Sequence, residues 1–378
     1  MPVTVADRVR SRIDRFEVDR LRGAWGGRDL LRSRAPGPGD VAVCSNDYLA
    51  LAGDARIAAA MGAALTVSCG QATRPVLETA LARHMGAAAG ILCQSGWEAN
   101  VGLLQVLSDR STPVYPDRAA HASLWQGARM AGAPLHPFRH NDSGDLAELI
   151  HRNGPGIIAV DAIYSTSGSR SPLVRLCELA ESTGSLLVVD ESHALGVEGA
   201  HGAGLVAASG LTDRVCFRTA SLAKAFVGRA GFVATSDPRF GDYFRSESHP
   251  AIFSTTVGPH DIAGLAVTLD LIRAADDRRS RLREIAATVR SALTALDFDL
   301  EDSSSQIVSL HTGPAAHAFA VRDVLESHGV LGSVFAPPAT PDDRTLIRLS
   351  LHAGLTDDEV TRLVAACAAT TMLLAHQR

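Results

Sequence analysis

Lys224 is the only lysine in a chain of 378 residues; the rest of its 36 lysine-plus-arginine total is arginine. An ε-amine can shed its proton in a desolvated setting and condense with an aldehyde, whereas a guanidinium stays charged and is not a nucleophile. The neighbours of Lys224 are small or apolar. Val215-Cys216-Phe217-Arg218-Thr219-Ala220 has the pattern of a buried strand, Ser221-Leu222-Ala223 leads to the lysine, and Gly228 and Gly231 break the return into Phe232-Val233-Ala234. Such surroundings solvate an ammonium poorly and lower its pKa, so the pattern predicts an amine able to form a Schiff base.

Other residues supply what an aldehyde-bearing ring would need. Asp190 ends the apolar run Leu186-Leu187-Val188-Val189 and is followed by Glu191-Ser192-His193. A carboxylate at the end of a parallel strand can hold a pyridinium N–H, and a histidine three residues on can reach the ring's phenolic oxygen. Each residue alone fits an ordinary role equally well, Asp190 as a helix cap and His193 as a core histidine. Gln94-Ser95-Gly96-Trp97-Glu98-Ala99-Asn100 reads as a strand-to-helix turn whose free N–H groups and serine can hold a phosphate. Ser221 adds a hydroxyl, and His121, within Asp117-Arg118-Ala119-Ala120-His121-Ala122-Ser123, offers a planar ring for stacking. Aldehyde, phosphate, pyridine nitrogen and stacking face together describe pyridoxal 5′-phosphate.

The elements that must position these groups follow from the hydrophobic pattern. Between about residues 87 and 235, short apolar runs alternate with helical ones: Gly156-Ile157-Ile158-Ala159-Val160-Asp161, then a helix with Leu173, Leu176, Cys177 and Ala180 on one face, then the strand ending at Asp190. Continuous apolar strands separated by helices predict an α/β fold with a mostly parallel sheet covered on both faces. Residues 261–296 read as long helix interrupted near Ala275-Asp276-Asp277. Alternation returns at Ile307-Val308-Ser309-Leu310 and Leu346-Ile347-Arg348-Leu349-Ser350-Leu351, and a final helix starts at Thr356. The expected organisation is an N-terminal helical segment (1–43), a large cofactor-binding α/β domain (44–260), and a connecting helix with a small C-terminal α+β domain (261–378).

Composition narrows the function classes. The net charge of −5 and the lack of a long basic block speak against nucleic acid. No apolar run reaches membrane-spanning length, and the N-terminus carries charge where a secretory signal has its apolar core, so a cytoplasmic protein is expected. Arg8, Arg10, Arg12 and Arg22 are interleaved with Asp7, Asp14, Glu17 and Asp19, as on a solvated helix. The six cysteines are scattered without a Cys-x-x-Cys pair, which predicts buried thiols and no metal site. Gly196, Gly199, Gly202 and Gly204 do not form the dinucleotide fingerprint.

The ordered set Ser45-Asn46-Asp47-Tyr48-Leu49, Ser95-Gly96-x-x-Ala99-Asn100, His121-Ala122-Ser123, His140-Asn141-Asp142, Asp190-Glu191-Ser192-His193 and Ser221-x-x-Lys224 resembles the α-oxoamine synthases, fold-type I pyridoxal-phosphate enzymes, from about Cys44 to the C-terminus. The variants Leu92-Cys93-Gln94-Ser95-Gly96-Trp97, Ala122-Ser123-Leu124-Trp125, Thr219-Ala220-Ser221-Leu222-Ala223-Lys224 and Arg229-Ala230-Gly231 are most similar to the α-aminoketone autoinducer synthases of quorum sensing. The resemblance implies that Lys224 carries the cofactor and moves the α-proton, Asp190 holds the pyridine nitrogen, and His193 contacts the phenolic oxygen. It further implies that His121 stacks on the ring and that Ser95, Gly96, Trp97 and Ser221 surround the phosphate, with Ser165 lining the ring. Thr255 and Thr256 would reach the phosphate of a neighbouring subunit, which implies a homodimer. Arg348 would grip the substrate carboxylate beside Asn46.

The implied reaction is a decarboxylative condensation of an acyl thioester, on CoA or an acyl carrier protein, with an α-amino acid or S-adenosylmethionine to give an α-aminoketone. An 8-amino-7-oxononanoate synthase or a secondary-metabolite synthase is the nearest alternative; an aminotransferase and a non-catalytic dimeric binding protein are further ones. One departure bears on the acyl donor. Where the family has a Gly/Ser-rich stretch, often with a histidine, before a helix, this chain has only Thr66-Val67-Ser68-Cys69-Gly70-Gln71-Ala72-Thr73-Arg74, and the helix is expected near Pro75.

Overall fold

The computed structural model describes residues 3–16, 34–65, 73–300, 302–337, 339–340 and 344–374. Its strands are β1 (Val41–Ala42), β2 (Ala89–Cys93), β3 (Val114–Pro116), β4 (Ile157–Asp161), β5 (Leu186–Asp190), β6 (Phe217–Ser221), β7 (Gly231–Thr235), β8 (Ile307–Gly313), β9 (Val330–Leu331), β10 (Ser333–Phe335) and β11 (Thr345–Ser350). Six of them form one sheet in the order β2-β7-β6-β5-β4-β3. β3 to β6 run parallel, as the βαβ pattern predicts, and only β7 is antiparallel to its neighbours β6 and β2.

Both faces of this sheet are buried, and alternate residues enter different cores. Ile157 and Ala159 of β4 and Val188 of β5 pack with Leu103, Leu104, Leu124 and Ala128 of the helices Gly96–Leu107 and Ala122–Ala131. Ile158, Val160, Leu187 and Val189 face the other way, into a core shared with Leu176 and Cys177 of the helix Leu173–Thr183 and Leu265 and Leu269 of the helix Pro259–Arg273. The parallel register aligns Asp161 with Asp190 at the carboxyl ends of β4 and β5, where ligands bind in such sheets.

The interruption expected near Ala275 is present: Pro259–Arg273 ends and Asp276–Ala295 begins anew. Arg279, 2% exposed, donates from Nη1 to the carbonyls of Ile272 (2.7 Å) and Gly196 (3.2 Å), so a buried guanidinium satisfies the helix end at that break. Beyond it, β10, β11 and β8 make an antiparallel sheet in which Arg348 pairs with Ser309 and Ser333. β1 pairs in parallel with β9, which brings residues 41–48 against the C-terminal part of the chain. Two boundaries differ from expectation. The strand before Lys224 runs to Ser221, and the helix after residue 72 begins at Thr73, so that Arg74 lies in its first turn. Among the described residues no helix is long and apolar enough to cross a membrane, and no group of three His, Cys, Asp or Glu is placed to hold a metal. The five described cysteines are free; Cys69 lies outside the described residues.

Where the two sheets meet, a tight turn spans residues 164–168, closed by a bond from the Gly168 N–H to the Tyr164 carbonyl (2.9 Å). Gly168 has φ +72°, and a Cβ there would lie 2.1 Å from the Ile307 carbonyl oxygen in β8. Gly168→Ala combines a left-handed backbone with a backbone clash, so a loss of about 1–3 kcal/mol is expected. Thermal unfolding of the variant checks it, and an unchanged midpoint would contradict the close approach.

Candidate active site

Asp190 ends β5 at 4% exposure. Its Oδ2 accepts a bond from Asn100 Nδ2 (2.6 Å) and its Oδ1 one from the Ser192 N–H (2.8 Å). Asn100 lies one turn into the helix Gly96–Leu107, and it also donates to Ser123 Oγ (2.9 Å) and accepts from Thr219 Oγ1 (2.5 Å). The amide is therefore held by three elements, and it fixes the carboxylate's orientation. On the adjacent strand, burial pushes the Asp161 carboxyl well above the usual range, and the neighbouring Asp190 adds to it. Asp161 Oδ1 accepts the His121 backbone N–H (3.0 Å), which anchors the loop that carries the His121 ring.

His121 caps the helix Ala122–Ala131, its Nδ1 is 2.6 Å from Ser123 Oγ, and Trp97 meets its ring edge-on at 6.0 Å. Trp97 itself is 47% exposed. Ser95 caps the helix Gly96–Leu107 through a bond from the Glu98 N–H (3.2 Å). A Cβ on Gly96 would lie 2.6 Å from Ser221 Cβ, so only glycine lets the end of β6 press against the first helical turn. Ser221 is fixed in turn by its N–H bond to Ser192 Oγ (2.7 Å). Ser95, Gly96 and Ser221 thus converge at a helix N-terminus, an arrangement suited to phosphate.

Lys224 follows three residues after the end of β6. Burial lowers its pKa and the charge of Arg348 adds to the effect, while Asp190 opposes it. His193, 5% exposed, is held well below its ordinary pKa by burial, with Lys224 and Arg348 contributing. Its Nδ1 lies 2.6 Å from the Tyr48 hydroxyl. The same hydroxyl donates to Asn46 Oδ1 (3.1 Å), which links His193 to the residues around Arg348.

Arg348 sits in β11 at 6% exposure, with its guanidinium carbon 4.6 Å over the Phe335 ring. Nη1 donates to the Ser165 carbonyl (3.0 Å) and Nη2 to Asn46 Oδ1 (3.1 Å). Nε is buried and has no hydrogen-bond partner. A buried guanidinium with an unpaired edge is costly unless an anion completes it.

These residues fit pyridoxal 5′-phosphate by their chemistry: a carboxylate for the pyridinium, a buried imidazole for the phenolic oxygen, an amine for the aldehyde, and a helix N-terminus with two serines for the phosphate. The structure places His193, Lys224, His121, Asp190 and Arg348 within one electrostatic neighbourhood, and Ser165 acts on Arg348 through its carbonyl. Thr255 and Thr256 are exposed and border a cavity of about 160 Å³ beside Arg74, Cys93, Gln94 and Glu98. Arg74 donates to Thr256 Oγ1 (2.7 Å), the Leu92 carbonyl (2.7 Å) and Glu78 (3.1 Å). Of the departing segment, only Thr73 and Arg74 are described; residues 66–72 lie outside the described residues. Sequence reasoning passed over Tyr48, Asn100, Ser123 and Thr219 as site residues. Tyr48 and Asn100 stood in quoted motifs, where polar types among apolar neighbours were the available signal.

Comparison with known proteins agrees with this geometry. A family model described as aminotransferase class I and II matches residues 39–366. A CAI-1 autoinducer synthase of Vibrio campbellii is 40% identical over 370 residues, covering 95% of this chain and 94% of that protein. An 8-amino-7-oxononanoate synthase of Alkalilimnicola ehrlichii is 35% identical over 340 residues, covering 86% and 87%. Among solved structures, Sphingomonas wittichii serine palmitoyltransferase superposes with a TM-score of 0.86 at 22% identity, over 100% of this chain and 99% of that one, a likeness of fold.

Proposed function

The chain belongs to the aminotransferase class I and II family and, within it, to the α-oxoamine synthases, and from that premise we propose that its pocket joins a medium-chain acyl thioester to an α-amino acid or S-adenosylmethionine held by its carboxylate. The protein is a pyridoxal-phosphate-dependent acyltransferase with the fold-type I architecture. When bound, the cofactor supplies an electron sink for charge developing at the substrate α-carbon. Lys224 would hold it through the ε-amine, whose pKa burial lowers. Asp190, oriented by Asn100, pairs with the pyridine nitrogen. His193 would contact the phenolic oxygen, His121 would lie against the ring, and Ser95, Gly96, Trp97 and Ser221 would take the phosphate. The same ε-amine would serve as the base for the substrate α-proton. The condensation then releases thiol and carbon dioxide.

The observation that carries the carboxylate-bearing amine is the buried, unpartnered Nε of Arg348, in the same electrostatic neighbourhood as Lys224. With Nη1 on Ser165 and Nη2 on Asn46, Nε is the guanidinium N–H left without a partner. The autoinducer synthase relative supports a quorum-sensing aminoketone as product; the 8-amino-7-oxononanoate synthase relative supports that oxononanoate as the second reading. Exposed Thr255 and Thr256 suit a homodimer in which they approach the neighbour's phosphate. A cytoplasmic location fits substrates carried on CoA or an acyl carrier protein.

Removing the Arg348 fork takes away a charged hydrogen-bonding partner worth about 1.5–3 kcal/mol. Arg348→Ala is therefore expected to shift a spectral titration of the holoenzyme with amine to roughly 10- to 150-fold higher concentration, with cofactor binding intact. Running the same titration across S-adenosylmethionine, 2-aminobutyrate, alanine and serine identifies the donor. Unchanged amine affinity in the variant would place the carboxylate anchor elsewhere.

A further inference from the structure

The guanidinium of Arg348 is aimed by the turn at residues 164–168, whose Ser165 carbonyl accepts from Nη1 and whose Thr166 carbonyl accepts from Ser309 Oγ in β8. Both stems of that turn are tied to one carboxylate. Asp117, fully buried immediately after β3, accepts from the Tyr164 hydroxyl at Oδ2 (2.9 Å). Its Oδ1 lies 2.9 Å from His140 Nδ1, and His140 Nε2 lies 2.9 Å from Ser169 Oγ at the other stem. The turn closes between them through the Tyr164 N–H to the Ser169 carbonyl (3.0 Å). The His140 ring stands edge-on to Tyr164 at 4.4 Å, and Ser171 Oγ donates to the Tyr164 hydroxyl oxygen (2.9 Å). His140 is itself held in place, because the next residue, Asn141, gives its N–H to Asp117 Oδ2 (2.8 Å) from a backbone with φ +56°.

We infer that His140, with Asp117 and Tyr164, is a positioning device for substrate recognition: it locks the 164–169 turn so that the Ser165 carbonyl sets the orientation of Arg348 and presents the Nε edge to the amine's carboxylate. The inference rests on the reading of Arg348 as the carboxylate anchor. A constellation of Asp, His and Ser at these distances is also the geometry of a hydrolytic triad, but Ser169 is 1% exposed and its hydroxyl is bonded to Ser167 Oγ (2.8 Å), so no substrate reaches it. Neither His140 nor Tyr164 touches the cofactor groups described above. Asp117 Oδ1 also accepts the Ala119 N–H (2.8 Å), two residues before His121, so the test varies His140 and Tyr164 and leaves Asp117 in place.

Steady-state kinetics of the holoenzyme separates this role from general packing. His140→Ala and Tyr164→Phe are each expected to raise KM for the amine about tenfold, with kcat within about twofold, KM for the acyl thioester unchanged, and cofactor content retained, the pattern of lost ground-state binding. Combined with Arg348→Ala, either substitution is expected to add nothing further, since the anchor it aims is gone. Tyr164→Phe removes a single hydroxyl and decides the matter if His140→Ala does not fold. A weakened Arg348→Ala beside unchanged His140→Ala and Tyr164→Phe would overturn the inference alone. A fall in kcat with loss of cofactor would overturn it in favour of a packing role. Unchanged amine affinity in Arg348→Ala would overturn the anchor reading and this inference with it.

Discussion

Lys224→Arg protein is expected to carry no covalently attached pyridoxal phosphate and to lose at least about 10³-fold in turnover, because the substitution removes both the nucleophile and the α-proton base while keeping the positive charge. The chain offers an unusually clean readout. With one lysine in 378 residues, borohydride reduction of the wild-type holoenzyme can label only one lysine-containing peptide, the one that includes Ser221-Leu222-Ala223-Lys224. Arginine preserves the charge that Asp190 sees, so a fold defect and a chemical defect are separable by thermal unfolding of the two proteins. Visible cofactor absorbance and a reduced adduct surviving in Lys224→Arg would remove Lys224 from its role.

Asp190→Asn is the next largest expected effect. The side chain at position 190 receives Asn100 Nδ2 and the Ser192 N–H, and an asparagine oxygen can still accept from one of them, so the fold and cofactor attachment should persist. A neutral amide, however, cannot balance a pyridinium as a carboxylate does, and the electron sink weakens with the loss of that proton. Turnover is expected to fall by about 10²–10³-fold, the scale of removing one preorganised electrostatic partner. Absorbance of the bound cofactor and kcat measured on the same preparation test this, and near-normal turnover would assign the ring nitrogen to another group.

What could be read from the sequence was what depends on neighbours along the chain. Asp190 and Lys224 stand near the ends of short apolar runs, Gly96 opens a helix after a strand, and these local patterns pointed to the candidate cofactor residues and to the parallel sheet. β7 returns antiparallel between β2 and β6, and nothing in Gly231-Phe232-Val233-Ala234-Thr235 distinguishes that direction, since both sheet faces are buried there. The supporting contacts lay further out of reach. Asn100 orients Asp190 from 90 positions away, Tyr48 meets His193 across 145, and Arg348 meets Asn46 across 302. Periodicity carries no information over such separations, and Arg348 entered the sequence reading only through resemblance to a family. His140 illustrates the same limit: its motif is local, but its partners come from two distant segments, Asp117 after β3 and Tyr164 and Ser169 on one turn, that only the fold brings together.

The most direct test of the synthase reading is the stoichiometry of a single reaction. Holoenzyme supplied with a medium-chain acyl-CoA and the preferred amine is expected to release free thiol and carbon dioxide in a one-to-one ratio, with an α-aminoketone of the summed carbon skeleton, less that carbon dioxide, appearing in the mass spectrum. A keto acid formed from the amine without thiol release would contradict the account and assign the site to transamination.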